Sequence, residues 1–404
     1  MFEHALFIIA GAGLSAASVY LVLVMVAAVR FRISAQRYSA LSGSDAHLPP
    51  VSVLKPLHGA EPLLEECLES FFRQDYPEYE LIFGARIQSD PALALVEVLE
   101  KKYPHVATQT IVSGHPGHPN AKVCLMEKMA PLATHPILFI ADSDVHVAPD
   151  YLAQVVRPML DPKVGMVTCL YRGVSTGGFW ALLEALGMSI ELASGVLVAD
   201  LLEGMKFALG PTMVIRKEVL EGWGGLGVLR DYCADDFVMG ALTHAAGRKV
   251  VLSHYVINHI VLGRSARTSM LHQLRWMKSS RFSRSLGHLG TGLTFAMPFG
   301  ALALVAGWLS GNWVLGLGML SVAVANRLVQ ALVVGWGVNR DRDSALYCWL
   351  YPLRDLLGFT LWCASFWGSE IDWRGERYQL VSGGRMVPKS RPGETDSNDA
   401  GCPV

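Results

Sequence analysis

The chain has few cysteines, almost no net charge and a low content of charged side chains. It holds 7 cysteines in 404 residues, and none of them forms a C-x-x-C pair, which argues against a disulfide framework and a zinc site. The formal net charge of -1 provides no basic field for nucleic acid, so we expect no nucleic-acid partner. Charged residues make up 17% and hydrophobic residues 51% of the sequence, a balance that indicates membrane segments beside a soluble domain.

The N-terminal segment has no charged residue at positions 5–29, a run that is long enough to cross a bilayer as a helix. Arg30 and Arg32 follow directly, and they place the C-terminal end of this helix on the cytoplasmic side. The segment has no preceding basic region and no small-residue cleavage site. We therefore predict a retained transmembrane anchor over residues 1–32 rather than a removed signal peptide.

Two further apolar stretches lie nearer the C-terminus. Residues 289–326 are uncharged, and residues 344–367 carry only Arg354 and Asp355 as charged side chains. We predict a C-terminal transmembrane region over residues 289–368, with the number of spans open. A buried core helix is the alternative for the second stretch, because an Arg-Asp pair in lipid is costly unless it faces protein or water.

Between the apolar ends, short β-rich runs alternate with amphipathic segments. This alternation predicts an α/β doubly wound sheet over residues 49–268, and such sheets bind ligands beyond the carboxyl ends of their strands. The polar segment 369–404 is predicted to be a tail, disordered from about residue 389. The predicted strands are 51–54, 80–84, 108–112, 137–141, 165–170, 212–215 and 249–253, and the predicted helices are 61–74, 91–103, 120–132 and 235–246.

Asp142 and Asp144 flank a serine directly after the apolar run 137–141. Hard carboxylate oxygens suit Mg²⁺ or Mn²⁺, which also bind substrate phosphates. A helix cap or a turn is the structural alternative, since Asp and Ser favour both. Their position at the end of an apolar strand favours a metal site in which the metal contacts a substrate diphosphate.

Asp235 and Asp236 open a segment that is typical of a helix start. Two acids in a first turn are also favoured by the helix dipole, which is the structural alternative. In the functional interpretation Asp236 is a general base that takes a proton from an acceptor hydroxyl. Asp235 is then its supporting neighbour.

A basic-aromatic cluster precedes the C-terminal apolar region. We predict an interfacial basic helix over residues 269–288, whose outer cations extend to lipid headgroups. Within it, Arg275 is the first candidate for binding a diphosphate, and His272 and Trp276 are further candidates for donor binding, with Trp276 also packed beside the acceptor. Near the N-terminus, Lys55 ends an apolar run before a Pro/Gly loop; this stretch is a candidate nucleotide-binding segment, or an ordinary strand-to-helix turn.

Taken together, the motifs resemble the ceramide glucosyltransferase family, glycosyltransferase family 21, which includes bacterial enzymes that glycosylate hopanoids. The resemblance implies a GT-A fold with a mostly parallel sheet, a UDP-sugar donor, a divalent metal and inversion at the anomeric carbon. It covers nearly the whole chain, through the stretches 51–59, 71–77, 90–92, 141–144, 234–237, 275–276 and 372–378.

The resemblance also assigns roles to single residues. It makes Asp142 the metal-site aspartate and Asp236 the catalytic base, and it makes Arg275-Trp276 the end of a Q/R-x-x-R-W motif. The chain departs from the family pattern twice. His272 stands where Gln or Arg is usual, and Ile87 stands where an aspartate is usual, so contact to the uridine is expected to shift to Asp90 or to the loop after Lys55.

We therefore expect an integral membrane protein, with its catalytic domain on the cytoplasmic face of a bacterial inner membrane. The expected activity is inverting transfer of a hexose, with glucose as the first candidate, from a UDP-sugar to a hydroxyl of ceramide or a similar lipid. Transfer of N-acetylglucosamine to a hopanoid polyol, bacteriohopanetetrol, is the alternative within this class. A non-catalytic membrane scaffold and a processive polysaccharide synthase are rivals from other classes.

Overall fold

A computed structural model describes residues 2–41, 47–373 and 375–389 of the chain. Its centre is an eight-stranded sheet with the strand order β3-β2-β1-β4-β7-β6-β8-β5. Four pairs are parallel, namely β1 with β2, β1 with β4, β2 with β3, and β6 with β8. The strands are β1 (Val51–Pro56), β2 (Tyr79–Ala85), β3 (Ala107–Val112), β4 (Ile137–Ala141), β5 (Val145–His146), β6 (Val164–Ser175), β7 (Thr212–Arg216) and β8 (Lys249–Val261).

The central strands form because each is a continuous apolar run that the sheet buries on both faces. Every residue of β4 is buried, as are the first five of β1. The seven predicted strands are all present, which confirms the α/β class with a mostly parallel sheet. β7 runs antiparallel to both β4 and β6, so the sheet is mixed rather than uniformly parallel at its centre.

Two strands extend further than predicted. β6 and β8 pair over residues 164–175 and 249–261, with a register shift between Cys169 and Leu170. The predicted ends were too early because polar residues of β8, such as His254 and Asn258, interrupt the apolar run. These extensions matter for the site, because they carry the C-terminal half of β8 to β5, the short strand just after Asp144.

The predicted helices of the central domain are also present, with ends that differ by a few residues. Asp90 caps the third helix and Asn120 caps the fourth, each by accepting a backbone N–H, as their side chains favour. The helices between the strands are α2 (Leu64–Phe72), α3 (Pro91–Lys102), α4 (Ala121–Met129), α5 (Tyr151–Val156), α6 (Phe179–Leu186), α7 (Ala193–Glu203), α8 (Lys217–Gly222) and α9 (Asp235–Ala245).

Three helices in the described part of the chain are long and apolar enough to cross a membrane. The first, α1 (Phe2–Leu41), contains the predicted anchor. The second, Phe179–Glu203, consists of α6, a π-helical turn and α7, and was not predicted; 78% of its most apolar window is buried within the protein, against 33% for each of the others. The third, Trp313–Val338, begins with α13 (Trp313–Gln330).

The remaining helices are shorter and follow β8 in the sequence. α10 (Ala266–Ser283) and α11 (Ser285–Thr291) cover the predicted basic helix. α12 (Met297–Ser310) ends at Gly311 in the left-handed conformation and is followed directly by α13. The others are α14 (Arg342–Leu346) and α15 (Tyr351–Ala364).

Arg354 and Asp355 both face protein, and they do not pair with each other. Adjacent helix residues point in different directions, and on α15 Asp355 pairs with Arg327 at 2.9 Å while Arg354 pairs with Glu191 at 3.1 Å. Asp355 also accepts the backbone N–H groups of Ala296 and Met297 at the start of α12. These buried partners make the charges compatible with an apolar helix.

The predicted polar tail contains a small sheet. Strands β9 (Glu370–Trp373), β10 (Glu376–Val381) and β11 (Arg385–Pro388) form an antiparallel sheet in the order β11-β10-β9. It is tied to the main domain by hydrogen bonds from Cys233 N to Gly384 O and from Met386 N to Asp231 O. The predicted disorder concerns residues from about 389, and 390–404 lie outside the described residues.

Gly240→Ala is expected to destabilise the domain by about 1–3 kcal/mol. An added Cβ on Gly240 of α9 would lie 2.5 Å from the backbone N of Ala208, where backbone cannot move aside. Gly195→Ala is the matched control, because nothing lies within 4 Å of an added Cβ there. Denaturant unfolding in detergent measures both; equal stability of the two variants would contradict the close packing of α9.

Candidate active site

The structure contains an open cleft of about 940 Å³. The sequence-predicted residues that line it are Asp142, Asp144, Asp235, Asp236, His272, Arg275 and Trp276. They come from the end of β4, the start of α9 and the middle of α10, which are far apart in sequence. The cleft therefore unites both acidic motifs with the basic-aromatic cluster, as the proposed chemistry requires.

The loop 142–144 is fixed by hydrogen bonds on both sides. Asp142 N donates to Pro211 O at 3.4 Å, just before β7, and Ile260 N of β8 donates to Asp144 O at 2.9 Å. The parallel neighbours β1 and β4 end at the same edge of the sheet, where ligands bind in open α/β sheets. The two carboxylates are therefore presented at the edge that the strand pattern predicts.

Asp236 is held at the N-terminal end of α9 by two backbone donors. Gly210 N donates to Oδ2 at 2.7 Å and Phe237 N donates to Oδ1 at 2.8 Å. A Cβ built on Gly210 would lie 3.2 Å from Asp236 Oδ2 and 3.9 Å from Asp142 Oδ2. One carboxylate of each motif therefore lies close to Gly210.

Burial and the neighbouring Asp235 carboxylate raise the pKa of Asp236 to about 6. Burial also raises the pKa of Asp235, whose Oδ1 accepts a hydrogen bond from Asn120 Nδ2 at 3.3 Å. A carboxylate with a raised pKa is a stronger base than an ordinary aspartate, yet it is still ionised at neutral pH. Asp236 therefore has the properties that a general base needs.

Lys122 is a site residue that the sequence did not indicate. It lies two positions after the Asn120 cap of α4, lines the cleft and forms an ion pair with Asp142. Burial alone would lower the pKa of Lys122, but the carboxylates of Asp142 and Asp235 raise it well above the usual value. The start of α4 thus contacts both acidic motifs. Asn120 contacts Asp235, and Lys122 contacts Asp142.

Lys55 and Asp90 do not line the cleft. Lys55 is fully buried; its Nζ donates to the backbone oxygen of Asp142 at 2.6 Å and lies 3.7 Å from the ring centroid of Phe71. The Asp90 carboxylate accepts the backbone N–H groups of Gly59 and Ala92 at 3.0 Å. The geometry thus gives no support to direct donor contacts by Lys55 or Asp90. Instead, Lys55 contacts the loop at Asp142, and Asp90 contacts the loop at Gly59.

His272, Arg275 and Trp276 of α10 line a further part of the cleft. The guanidinium of Arg275 lies 5.5 Å from the ring centroid of Trp373 on β9, so the C-terminal sheet contributes to the site. The rings of His272 and Trp276 are 4.3 Å apart between centroids. Burial lowers the pKa of Arg275, but a guanidinium remains charged at neutral pH and is available for a diphosphate.

Two carboxylates fit a divalent cation that substrate phosphates would help to hold. Among the described residues no group of three His, Cys, Asp or Glu side chains is arranged for a metal. Asp144 Oδ1 is buried and makes no hydrogen bond, and His259 Nδ1 lies 3.5 Å from it. Mg²⁺ sites commonly use one or two carboxylates plus phosphate oxygens, and Asp142 with Asp144 matches that donor set.

With Asp236 as the general base that the sequence predicts, the rate of the expected sugar transfer should rise with pH through a pKa of about 6, because only the ionised carboxylate accepts a proton. Since this pKa is raised above the ordinary value, ionisation of Asp236 lowers the free energy of unfolding as pH rises through the same interval. The pH profile of kcat/KM tests the predicted rise in rate. Denaturant unfolding at the same pH values tests the predicted fall in the free energy of unfolding. A flat rate profile between pH 5 and 7 would contradict the assignment.

The fold and the cleft define an α/β protein with helices long and apolar enough to cross a membrane. Its acids and arginine side chains meet in one cleft at the carboxyl edge of a sheet, a layout suited to a substrate with a diphosphate. The chain belongs to the family described as Glycosyl transferase family 21, whose model matches residues 16–386. This membership, with the mostly parallel sheet and the apolar helices at both ends, confirms the predicted family and the predicted GT-A class of fold.

Two curated relatives are ceramide glucosyltransferases of Caenorhabditis elegans. Ceramide glucosyltransferase 1 is 29% identical over 64% of this chain and 55% of its own length. Ceramide glucosyltransferase 3 is 24% identical over 85% of this chain and 75% of its own length. The chain thus matches little more than half of the first of these relatives.

A solved structure with a similar chain trace is the mannosyltransferase PcManGT from Pyrobaculum calidifontis in complex with GDP-Man and Mn²⁺. It is 19% identical, with a TM-score of 0.45, and the match covers 86% of this chain and 99% of that one.

Proposed function

We propose that the protein is an inverting glycosyltransferase that moves a hexose, with glucose as the first candidate, from a UDP-sugar to the hydroxyl of ceramide or a similar membrane lipid. The observation that carries the proposal is the meeting of Asp142, Asp236 and Arg275 in one cleft. Family membership and the ceramide glucosyltransferase relatives support the same reaction class.

In the proposed reaction, an acceptor hydroxyl oxygen attacks the anomeric carbon of the donor. The bond between that carbon and the diphosphate oxygen breaks, and UDP leaves. The hydroxyl proton passes to a carboxylate oxygen of Asp236, which acts as a general base. A single displacement from the face opposite the leaving group inverts the anomeric configuration.

The diphosphate is proposed to lie between α10 and the loop 142–144. Arg275 supplies a guanidinium that binds phosphate oxygens with two parallel hydrogen bonds. Asp142 and Asp144 are the residues that would hold Mg²⁺ or Mn²⁺, and a metal bound there would neutralise charge on the leaving diphosphate. Lys122, paired with Asp142, places a further positive charge beside the same group.

The acceptor is proposed to reach the cleft from the bilayer. The three long apolar helices suggest membrane association, and the helix Phe179–Glu203 contributes Glu184, Met188 and Leu192 to the cleft lining. A lipid headgroup can therefore enter while its chains stay in hydrocarbon. Arg30 and Arg32 after the apolar part of α1 favour the cytoplasmic face, which we propose to be that of a bacterial inner membrane.

Transfer of labelled glucose tests this function. Purified full-length protein in lipid vesicles receives UDP-glucose or UDP-N-acetylglucosamine with ceramide or bacteriohopanetetrol, with and without Mn²⁺. Metal-stimulated glucosylation of ceramide is the expected result. N-acetylglucosaminyl transfer to the hopanoid would instead establish the alternative acceptor class, a polymer would establish a processive synthase, and no product from any pair would leave a non-catalytic scaffold.

A further inference from the structure

Glu184 and His272 form a buried pair on the wall of the cleft that the proposed reaction does not use. His272 Nδ1 lies 2.9 Å from Glu184 Oε1, and Ser269 Oγ donates to Glu184 Oε2 at 2.5 Å. The Glu184 side chain is only 4% exposed, whereas that of His272 is 25% exposed. The carboxylate is therefore largely enclosed by its partners, and the more exposed imidazole lines the cleft beside it.

This pairing determines which ring nitrogen of His272 can accept a hydrogen bond from a ligand. A carboxylate only accepts hydrogen bonds, so the proton of a neutral imidazole resides on Nδ1 and Nε2 keeps its lone pair. Burial lowers the pKa of His272, which favours the neutral ring. No described residue hydrogen bonds to Nε2, and His272 lines the cleft, so this nitrogen is an acceptor for an external O–H.

The surroundings indicate that this O–H belongs to the lipid rather than to the nucleotide. Met188, Leu192 and Leu271 line the same cleft, and the first two lie on the same long apolar helix as Glu184. On α10 the ring of His272 lies 4.3 Å from that of Trp276 between centroids, on the acceptor side, whereas the Arg275 guanidinium assigned to the diphosphate lies against Trp373. An imidazole acceptor near apolar side chains suits a hydroxyl-bearing headgroup that is attached to hydrocarbon.

We propose that the Glu184–His272 pair is an acceptor subsite that binds a second hydroxyl of the lipid headgroup, beside the hydroxyl that receives the sugar. The inference rests on the proposed function and deepens it, since Asp236 already serves the reacting hydroxyl. Glu184 is a positioning residue that holds the tautomer, and His272 touches the acceptor. The protein would then select lipids whose headgroup carries two neighbouring hydroxyls.

The test compares acceptors that differ by one hydroxyl. Ceramide is matched with its 3-deoxy analogue, and bacteriohopanetetrol with a hopanoid that carries a single terminal hydroxyl. The measured quantity is the ratio of kcat/KM for the polyol over the matched mono-ol. One hydrogen bond is expected to give wild-type protein a ratio of about ten, and His272→Leu should bring the ratio to about one while transfer to the mono-ol continues.

Three further variants keep the outcome interpretable. His272→Gln retains a hydrogen-bond acceptor and should keep most of the ratio. Glu184→Gln can donate to Nδ1 and so place the imidazole proton on Nε2, which should lower the ratio. His105→Leu, at an exposed histidine on the loop before β3, should leave it unchanged.

Equal ratios for wild-type protein and His272→Leu would overturn the acceptor subsite while leaving the transferase intact. Absence of transfer to every lipid by wild-type protein would overturn the proposed function and the subsite with it. If His272→Leu fails to fold, it loses the mono-ol reaction as well, and the ratio of Glu184→Gln then decides. A Glu184→Gln ratio equal to that of wild-type protein would also overturn the subsite.

Discussion

Asp236→Asn is expected to reduce sugar transfer by about 10²–10⁴-fold, the contribution of a general base, while UDP-sugar binding stays nearly intact. Asparagine keeps one oxygen that accepts the hydrogen bond from Gly210 N, while its NH2 group takes the place of Oδ1 and loses the hydrogen bond from Phe237 N. The variant therefore removes basicity with little change in shape. Initial rates of transfer and the Kd of the UDP-sugar by calorimetry measure the two effects separately.

Asp231→Asn is the matched control for this substitution. Asp231 is exposed on the loop that precedes α9 and does not line the cleft, so its variant should transfer sugar at the wild-type rate. An equal loss of binding and transfer in Asp236→Asn would show that Asp236 acts as a donor-binding or structural residue rather than as a specific base.

Asp144→Ala is expected to weaken metal dependence and donor binding together, each by at least about ten-fold. Loss of one of two carboxylates removes a direct ligand, and even indirect partners of a metal site contribute 10–100-fold in affinity. The substitution leaves the fold intact, because Asp144 Oδ1 makes no hydrogen bond. A Mn²⁺ titration of activity and Mn²⁺ binding followed by electron paramagnetic resonance, with UDP present, measure the effect.

The control for Asp144→Ala is Asp150→Ala, an exposed aspartate before α5 that makes no capping hydrogen bond. It should leave both the metal titration and the Kd of the donor unchanged. A metal titration of Asp144→Ala that coincides with that of wild-type protein would remove Asp144 from the metal site.

The acidic motifs could be predicted from the sequence because each is tied to a local element. Asp142 and Asp144 follow an apolar strand, and Asp235 and Asp236 begin a helix. The ends of parallel strands meet at one edge of a sheet, so the position of Asp142 at a ligand-binding edge follows from the strand pattern. That both motifs share the cleft with Arg275 depended on the family resemblance.

Lys122 and Glu184 could not be predicted, because their roles arise from pairings between distant segments. Lys122 meets Asp142 across the sheet edge, and Glu184 meets His272 across two helices. Neither stands in a pattern that indicates chemistry. The helix that carries Glu184 was missed for a related reason: its acids interrupt the apolar run, although the protein rather than water surrounds most of it.

Asp90 and Lys55 remain predicted donor contacts, although neither lines the cleft. Asp before Pro is a strong signal for a helix N-cap, and the structure places Asp90 in that role for α3. Lys55 ends a strand whose side chains are buried, and its ammonium holds the backbone of Asp142 from beneath the cleft. Both side chains contact the backbone that shapes the site, an arrangement that the sequence pattern did not indicate.

One cleft is proposed to transfer a single sugar to a membrane lipid. Mass spectrometry of total lipids from cells that produce wild-type protein, Asp236→Asn or no protein tests it most directly, since the mass difference identifies the sugar and the parent lipid identifies the acceptor. We predict a lipid that carries one added hexose only in cells with the wild-type protein. Identical lipid profiles in all three cell lines would contradict the account.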